Sequence, residues 1–168
     1  MLRFRPATDD DAGFLAQCLA MAADWRPGAT VRDVDQILAV PELAHYVLGW
    51  PQPGDFGVIA EDGRPVGAAW WRYLSAADPG YGYVRDDVPE LSIAVAPGHR
   101  RTGVGWTLLE RLLAEAQARE LVGVSLSVET DNGARRLYES VGFRTVSDLG
   151  GALTMLWTPG VDGGPTRG

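Results

Sequence analysis

A chain of 168 residues, 46% of them hydrophobic and 22% charged, is long enough for one well-buried core and too short for two comfortable ones. Its net charge of −7 excludes the basic footprint of a nucleic-acid binder, and no apolar run approaches the ~18 residues that a bilayer-spanning helix needs. No nucleic acid and no membrane are therefore expected among its partners, while the acidic balance suits a cationic substrate or simply solubility.

The first predicted element is a strand over 2–6. A helix over 9–24 follows, and Thr8 with Asp11 three places on has the pattern of a capping box at its start. Cys18 in this helix reads as core, and as the only cysteine it permits no disulfide within the chain. A helix over 31–39 and a helical turn at 42–49 come next. Strands over 55–61 and 64–74 flank Asp62-Gly63, a strong hairpin signal. Trp70 and Trp71 point to opposite faces of the second strand, which places one in the core and the other toward a cleft or a partner. Leu91, Ile93 and Val95 alternate with Ser92 and Ala94 between Pro89 and Pro97, giving a strand over 89–96. Val104, Leu108, Leu109, Leu112 and Ala116 then recur at helical spacing, with Glu110, Arg111, Glu115 and Arg119 on the other side of a helix over 103–119. A strand over 123–129, a helix over 132–141 and strands near 142–147 and 152–158 follow. Hairpins early and strand–helix–strand crossovers late predict a mixed sheet, parallel only around the fourth and fifth strands. Residues 159–168 have nothing to bury and read as a tail behind one domain over 1–158.

The turn between the 89–96 strand and the next helix carries the most chemistry. Arg100-Arg101-Thr102-Gly103-Val104-Gly105 supplies two glycines that let a ligand approach the backbone, together with the unpartnered first N–H groups of a helix. The helix dipole and two arginines add positive charge. A diphosphate suits this cradle, and a plain glycine-relieved turn with solvated arginines is the alternative. A P-loop is excluded because the chain has no lysine, all 15 basic residues being arginine. A Rossmann fingerprint is excluded because Leu108 stands where its third glycine belongs.

Here the chain resembles the GNAT superfamily of N-acetyltransferases, whose first motif, [QR]-x-x-G-x-[GA] after a strand, binds the pyrophosphate of acetyl-coenzyme A. A second segment, Asn132-Gly133-Ala134-Arg135-Arg136-Leu137-Tyr138-Glu139-Ser140-Val141-Gly142-Phe143, resembles the family's N-x-x-A-x-x-[LF]-Y-x-x-x-G-F, with Ala134 one place early. Asp131 or Asn132 can cap its helix, Ala134, Leu137 and Val141 form the expected buried stripe, and Gly142 ends it. The resemblance covers roughly Leu2 to Trp157. It implies an α/β fold, a GNAT-type mixed sheet of about six or seven strands with flanking helices and a splayed central parallel pair. It also implies acetyl-CoA as co-substrate, held by Ile93, Ala94, Val95, Arg100, Arg101, Thr102, Gly103, Val104, Gly105, Trp106 and Asn132. The implied activity is acyl transfer: an N-acetyltransferase moving an acetyl group to a primary amine of a small molecule or peptide, with a non-catalytic acetyl-CoA-binding sensor as the alternative.

Three jobs follow from that chemistry. Main-chain N–H groups around Ile93 to Val95 would stabilise the thioester oxygen. Tyr138 resembles the tyrosine that protonates the departing thiolate, although a tyrosine on such a stripe can also be plain core. An amine of pKa ~10.4 must lose a proton at a cost near 4.6 kcal/mol at pH 7, against about 1.4 kcal/mol for an α-amine of pKa ~8. Glu90 is the first choice for the base, with a solvated strand end as its other reading. Some family members carry the base on the fifth strand at the position of Ser127, so this chain departs from that subgroup. Asp86 and Asp87 are alternatives that could instead bind a cationic acceptor, or merely be solvated. Specificity is expected from Trp25, Arg26, Tyr46 and Trp50 in one segment, and from Tyr81, Gly82, Tyr83, Arg85, Asp86 and Asp87 in the loop over 75–88. The acceptor is a small molecule or a protein, and a homodimer is left open. His45 and His99 lie far apart and neither H-E-x-x-H nor C-x-x-C occurs, so no metal is expected. The start MLRFRPATDDD lacks an apolar signal region, which points to the cytoplasm.

Overall fold

The computed structural model describes residues 1–160, and the predicted tail lies for the most part outside them. Among the described residues the strands are β1 (Arg3–Pro6), β2 (Phe56–Glu61), β3 (Pro65–Arg72), β4 (Glu90–Val95), β5 (Val124–Glu129), β6 (Arg144–Asp148) and β7 (Ala152–Trp157). The helices are α1 (Ala12–Ala23), α2 (Val34–Leu38), α3 (Pro41–Ala44), α4 (Val104–Ala118) and α5 (Ala134–Ser140). The strands hydrogen-bond in the order β1-β2-β3-β4-β5-β7-β6. The β4–β5 pairing is parallel, and the pairings of β1 with β2, β2 with β3, β5 with β7 and β6 with β7 are antiparallel. The chain divides into two compact units, and both β4 and α4 begin in one and end in the other.

The first unit comprises Met1–Arg72 and Ser92–Leu112. The expected capping box is present: the Thr8 side chain accepts from a main-chain N–H of the 3-10 turn Asp9–Asp11, and Thr8 N–H donates to Asp11 at 2.7 Å. Arg5 grips the same carboxylate with two nitrogens at 2.7 and 2.8 Å and holds it below the usual aspartate range. Leu15, Cys18 and Leu19 of α1, Ile37, Ile59, Val66 and the apolar stripe Val104, Leu108, Leu109 and Leu112 are buried. Each such side chain contributes about 1.5–3 kcal/mol by leaving water. Burial pushes the Cys18 thiol up to about 12.

Two expectations need correction in this unit. Trp70 and Trp71 are both fully buried, because β3 is covered on both faces and neither indole is left for a cleft. Their N–H groups donate to Tyr46 O at 3.0 Å and Gly54 O at 2.8 Å, which satisfies the polar end of each ring. Tyr46 and Trp50, expected among the specificity residues, are core as well. Arg72 carries a feature the sequence did not flag. It is 2% exposed, pairs with Asp55 at 2.7 Å, and donates to the carbonyls of His45 and Leu48, so this buried charge is fully engaged. The β2–β3 turn occupies Asp62 to Arg64, with Gly63 at φ 73° and a register shift at Ala60/Glu61.

The second unit comprises Tyr73–Leu91 and Leu113–Gly168. On β5 and β7, Val124, Leu126 and Val128 stand opposite Trp157, Met155 and Leu153, and all six are buried. Strand alternation puts Ser125 and Ser127 on the other face with Leu156 and Thr154. Among the described residues the parallel ladder of β4 on β5 holds one pairing, Glu90 opposite Ser125, beside Ser125 N–H to Pro89 O at 3.0 Å.

Candidate active site

Within the first unit the predicted diphosphate turn is built by its own hydrogen bonds. A 3-10 turn over Pro97–His99, absent from the sequence reading, closes with His99 N–H to Ala96 O at 2.9 Å. Thr102 then donates its hydroxyl to His99 O at 2.6 Å, and Arg100 Nε donates to Val95 O at 3.0 Å. Arg101 and Gly103 take positive φ values of 60° and 86°. A Cβ on Gly103 would meet no atom within 4 Å, so glycine is favoured there by backbone conformation and the space over it is open. The first bond of α4 is Thr107 N–H to Gly103 O at 3.1 Å, which places the N–H groups of Val104, Gly105 and Trp106 ahead of the ladder. A helix of this length presents about half a positive charge at that end. Arg100 and Arg101 are exposed, and Trp106 is 44% exposed beside them. Ile93, Ala94 and Val95 lead into the turn, half-buried. Donors, open space and positive charge thus converge on one short segment. Trp25 lies elsewhere in this unit, half-buried, with the Arg26 guanidinium 4.8 Å from its ring centre.

The second unit holds the remaining candidates. Glu90 is 4% exposed, so a solvated strand end is excluded. Tyr138 is 8% exposed and packs edge-on against Phe143, with ring centres 6.1 Å apart. Loss of water pushes its phenol up to about 12, which keeps the proton on the oxygen throughout the neutral range. Ala134, Leu137 and Val141, expected to be buried, are only half-buried; on this seven-residue helix Tyr138 is the residue driven inside. The cap of α5 comes from Asn132, whose Oδ1 accepts from Ala134 N–H at 2.9 Å, and Gly142 ends the helix at φ 107°.

The loop over 75–88 belongs to this unit too. Tyr83 donates its hydroxyl to Asp86, which also accepts from Ala76 N–H at 3.2 Å. Asp87 pairs with Arg85 at 2.9 Å, and this partner lowers its pKa. Asp87 is therefore charge-matched within the loop, and Asp86 is the carboxylate held only by neutral donors. Tyr81 is 60% exposed. Gly82, named with the loop's specificity residues, is buried, and a Cβ on it would lie 2.5–2.7 Å from main-chain atoms of Leu126 and Ser127. The loop therefore rests directly on the backbone of β5. Among the described residues no group of three His, Cys, Asp or Glu side chains is placed to hold a metal ion, and no helix is long and apolar enough to cross a membrane.

The model of the acetyltransferase (GNAT) family matches residues 21–143. The chain belongs to this family. It is 30% identical over 149 residues, 84% of its length, to a mycothiol acetyltransferase of Acidothermus cellulolyticus, of which it covers 43%. A [ribosomal protein bS18]-alanine N-acetyltransferase of Salmonella typhimurium is 43% identical over 61 residues, 36% of this chain and 41% of that one. The chain thus spans less than half the length of these curated relatives. Among solved structures, the ribosomal-protein-alanine N-acetyltransferase of Brucella melitensis superposes with a TM-score of 0.64 at 26% identity, over 94% of this chain and 99% of that one. A Salmonella typhimurium protein solved with its cofactor acetyl-CoA shares the fold, with a TM-score of 0.64 at 22% identity over 98% and 97% of the two chains. The GNAT fold read from the two motifs, with its mixed seven-stranded sheet and parallel β4–β5 pair, is the fold observed.

Proposed function

We propose that this GNAT protein transfers an acetyl group from acetyl-coenzyme A to a primary amine of a small molecule or peptide. The observation that carries the reading is the Arg100–Gly105 turn. Arg100 is tied back to Val95, Arg101 and Gly103 hold the left-handed backbone, and the leading N–H groups of a 15-residue helix follow. These donors and charges fit the pyrophosphate of acetyl-CoA, with Thr102 shaping the turn and Trp106 and Asn132 as flanking contacts. When bound, the coenzyme supplies a thioester whose acyl carbon an amine can attack.

The chain's residues then have separate tasks. Main-chain N–H groups between Ile93 and Val95 are the donors assigned to the thioester oxygen. Glu90 is assigned to take the proton from the ammonium form of the acceptor; its burial keeps competing water away from the carboxylate. Tyr138, protonated at neutral pH, is assigned to the departing sulfur. Asp86 and Asp87, with Tyr81, Tyr83 and Trp25, are assigned to the acceptor. Asp86 is the stronger electrostatic candidate because Arg85 already neutralises Asp87. Curated relatives are named for mycothiol and for an alanine of a ribosomal protein, so the acceptor panel must span both kinds. The test is thiol release from acetyl-CoA against small-molecule amines, lysine-like amines and peptides with a free N-terminal alanine. Turnover with any of these supports the reading. Tight binding of acetyl-CoA with no turnover on any acceptor would make the chain a sensor instead.

A further inference from the structure

Gly67 stands in the interior of β3, buried between β2 and β4. Glycine weakens a strand interior, and where it occurs there it often marks a close approach of another backbone. Its φ lies outside the left-handed region, so space and not conformation is what favours glycine. A Cβ at Gly67 would lie 3.2 Å from the carbonyl oxygen of Ala94 and 3.4 Å from side-chain atoms of Val95 and Leu108. Ala94 and Val95 belong to the part of β4 assigned to the thioester, and the fully buried Leu108 closes the other side. The directions of the β4 peptides follow from one further bond. Ala96 N–H donates to Val66 O at 2.7 Å, and the main-chain groups of a strand alternate sides from residue to residue. The N–H and C=O of Ala94 therefore face β3, in agreement with the Ala94 oxygen lying against Gly67. Those of Val95 face away, and there the Val95 oxygen accepts from Arg100 Nε at 3.0 Å. Ala94 C=O and Val95 N–H are opposite ends of one planar trans peptide, so whatever displaces the first turns the second.

We infer that Gly67 is a positioning residue for the Val95 N–H, the donor to the thioester oxygen. Its missing side chain lets β3 hold the Ala94 carbonyl in the orientation that keeps this N–H outside the β3–β4 ladder and free for a ligand. With a Cβ present, the Ala94 oxygen would have to give by a few tenths of an ångström, and the peptide that carries the donor would turn with it. The inference rests on the acetyl-transfer reading above and adds to it a residue outside both sequence motifs. It also separates the donors named there: by the same alternation the N–H groups of Ile93 and Val95 face away from β3, whereas that of Ala94 is directed into the ladder.

The test compares isotope-labelled wild type with Gly67→Ala by amide NMR and by single-turnover thiol release, with Gly57→Ala as the control. A Cβ on Gly57 would meet Trp70 Cβ at 2.9 Å, Ala7 Cβ at 3.2 Å and Ala69 O at 3.3 Å, so it strains β3 at least as severely from the side away from β4. In the wild type the Val95 amide resonance should move with acetyl-CoA and much less with coenzyme A lacking the acetyl group, while the Ala94 amide should not discriminate between them. Gly67→Ala should shrink the Val95 discrimination and lower kcat about tenfold, a part of the roughly 10²–10³-fold lost with a whole oxyanion donor, with acetyl-CoA affinity nearly retained. Gly57→Ala should lose stability yet keep both the Val95 response and kcat. Equal losses of kcat in the two variants, or a Val95 response unaltered by Gly67→Ala, would overturn the inference while leaving acetyl transfer intact. If Gly67→Ala does not fold, the wild-type spectra decide: a discriminating Val95 amide beside a silent Ala94 amide supports the inference, and the reverse overturns it. No turnover on any acceptor, with the Val95 response present in the wild type and weakened in Gly67→Ala, would remove the transfer reading and leave this placement of the donor standing.

Discussion

Replacing Tyr138 with phenylalanine removes one oxygen and keeps the ring that packs against Phe143, so the fold should survive while the sulfur loses its partner. The size of the effect follows from the acidity of the phenol. Burial holds it at about 12, whereas an alkyl thiol has a pKa near 8.5, so complete transfer of the proton to a free thiolate is uphill by about 3.5 units, close to 5 kcal/mol. Tyr138 therefore acts by sharing its proton with sulfur while the C–S bond is breaking. A hydrogen bond to a charged atom contributes about 1.5–3 kcal/mol, or roughly 10- to 150-fold in rate, which reaches only the lower part of the range of general acid catalysis. Single-turnover thiol release at saturating acceptor isolates the chemical step, and titration with acetyl-CoA checks that affinity is retained. A variant with near-normal single-turnover rate would refute the reasoning and make Tyr138 a packing residue. Loss confined to acetyl-CoA affinity would refute it equally.

Three further outcomes are expected. Gly82→Ala should lower stability by about 1–3 kcal/mol and raise KM for the acceptor, because the new Cβ meets the unyielding main chain of Leu126 and Ser127; chemical denaturation and steady-state kinetics would show an unchanged protein if the loop does not rest on β5. Replacing both Asp86 and Asp87 with Asn should raise KM for a cationic acceptor with kcat nearly preserved, the mark of lost uniform binding, whereas a collapse of kcat would place the base in this loop. Asp11, buried and held low by Arg5, contributes stability that is present above the ordinary aspartate pKa and lost as pH falls through its lowered value; Asp11→Asn should therefore lose about 1 kcal/mol less stability on acidification than the wild type, the partly exposed Arg5 keeping the pair's contribution modest.

Much of the fold was legible because it rests on local periodicity. The stripe from Val104 to Leu112 is buried as its spacing requires, and the Thr8–Asp11 box and the parallel β4–β5 pair stand where composition and connection type put them. Long-range cover was not legible. Alternation says that Trp70 and Trp71 face opposite ways, but not that both faces of β3 are covered. The Arg72–Asp55 pair joins residues 17 positions apart that no local pattern links. At the candidate site, the phosphate-type turn was readable from its glycines and arginines. The loop around Gly82 was readable as a specificity segment, but the approach of Gly82 to the main chain of Leu126 and Ser127 was not, since it exists only once the loop has folded onto β5.

Whether the Arg100–Gly105 turn holds acetyl-CoA is read from thermal unfolding with and without the cofactor. At a hundredfold excess over the dissociation constant, binding adds about 2.7 kcal/mol, which for a chain of this size is roughly 5–10 °C in Tm. The wild type should show that rise, and Gly103→Asp and Arg100→Glu, which put negative charge into the cradle, should largely lose it. An unchanged Tm for the wild type at millimolar acetyl-CoA, or an equal rise in all three proteins, would show that the turn does not hold the cofactor.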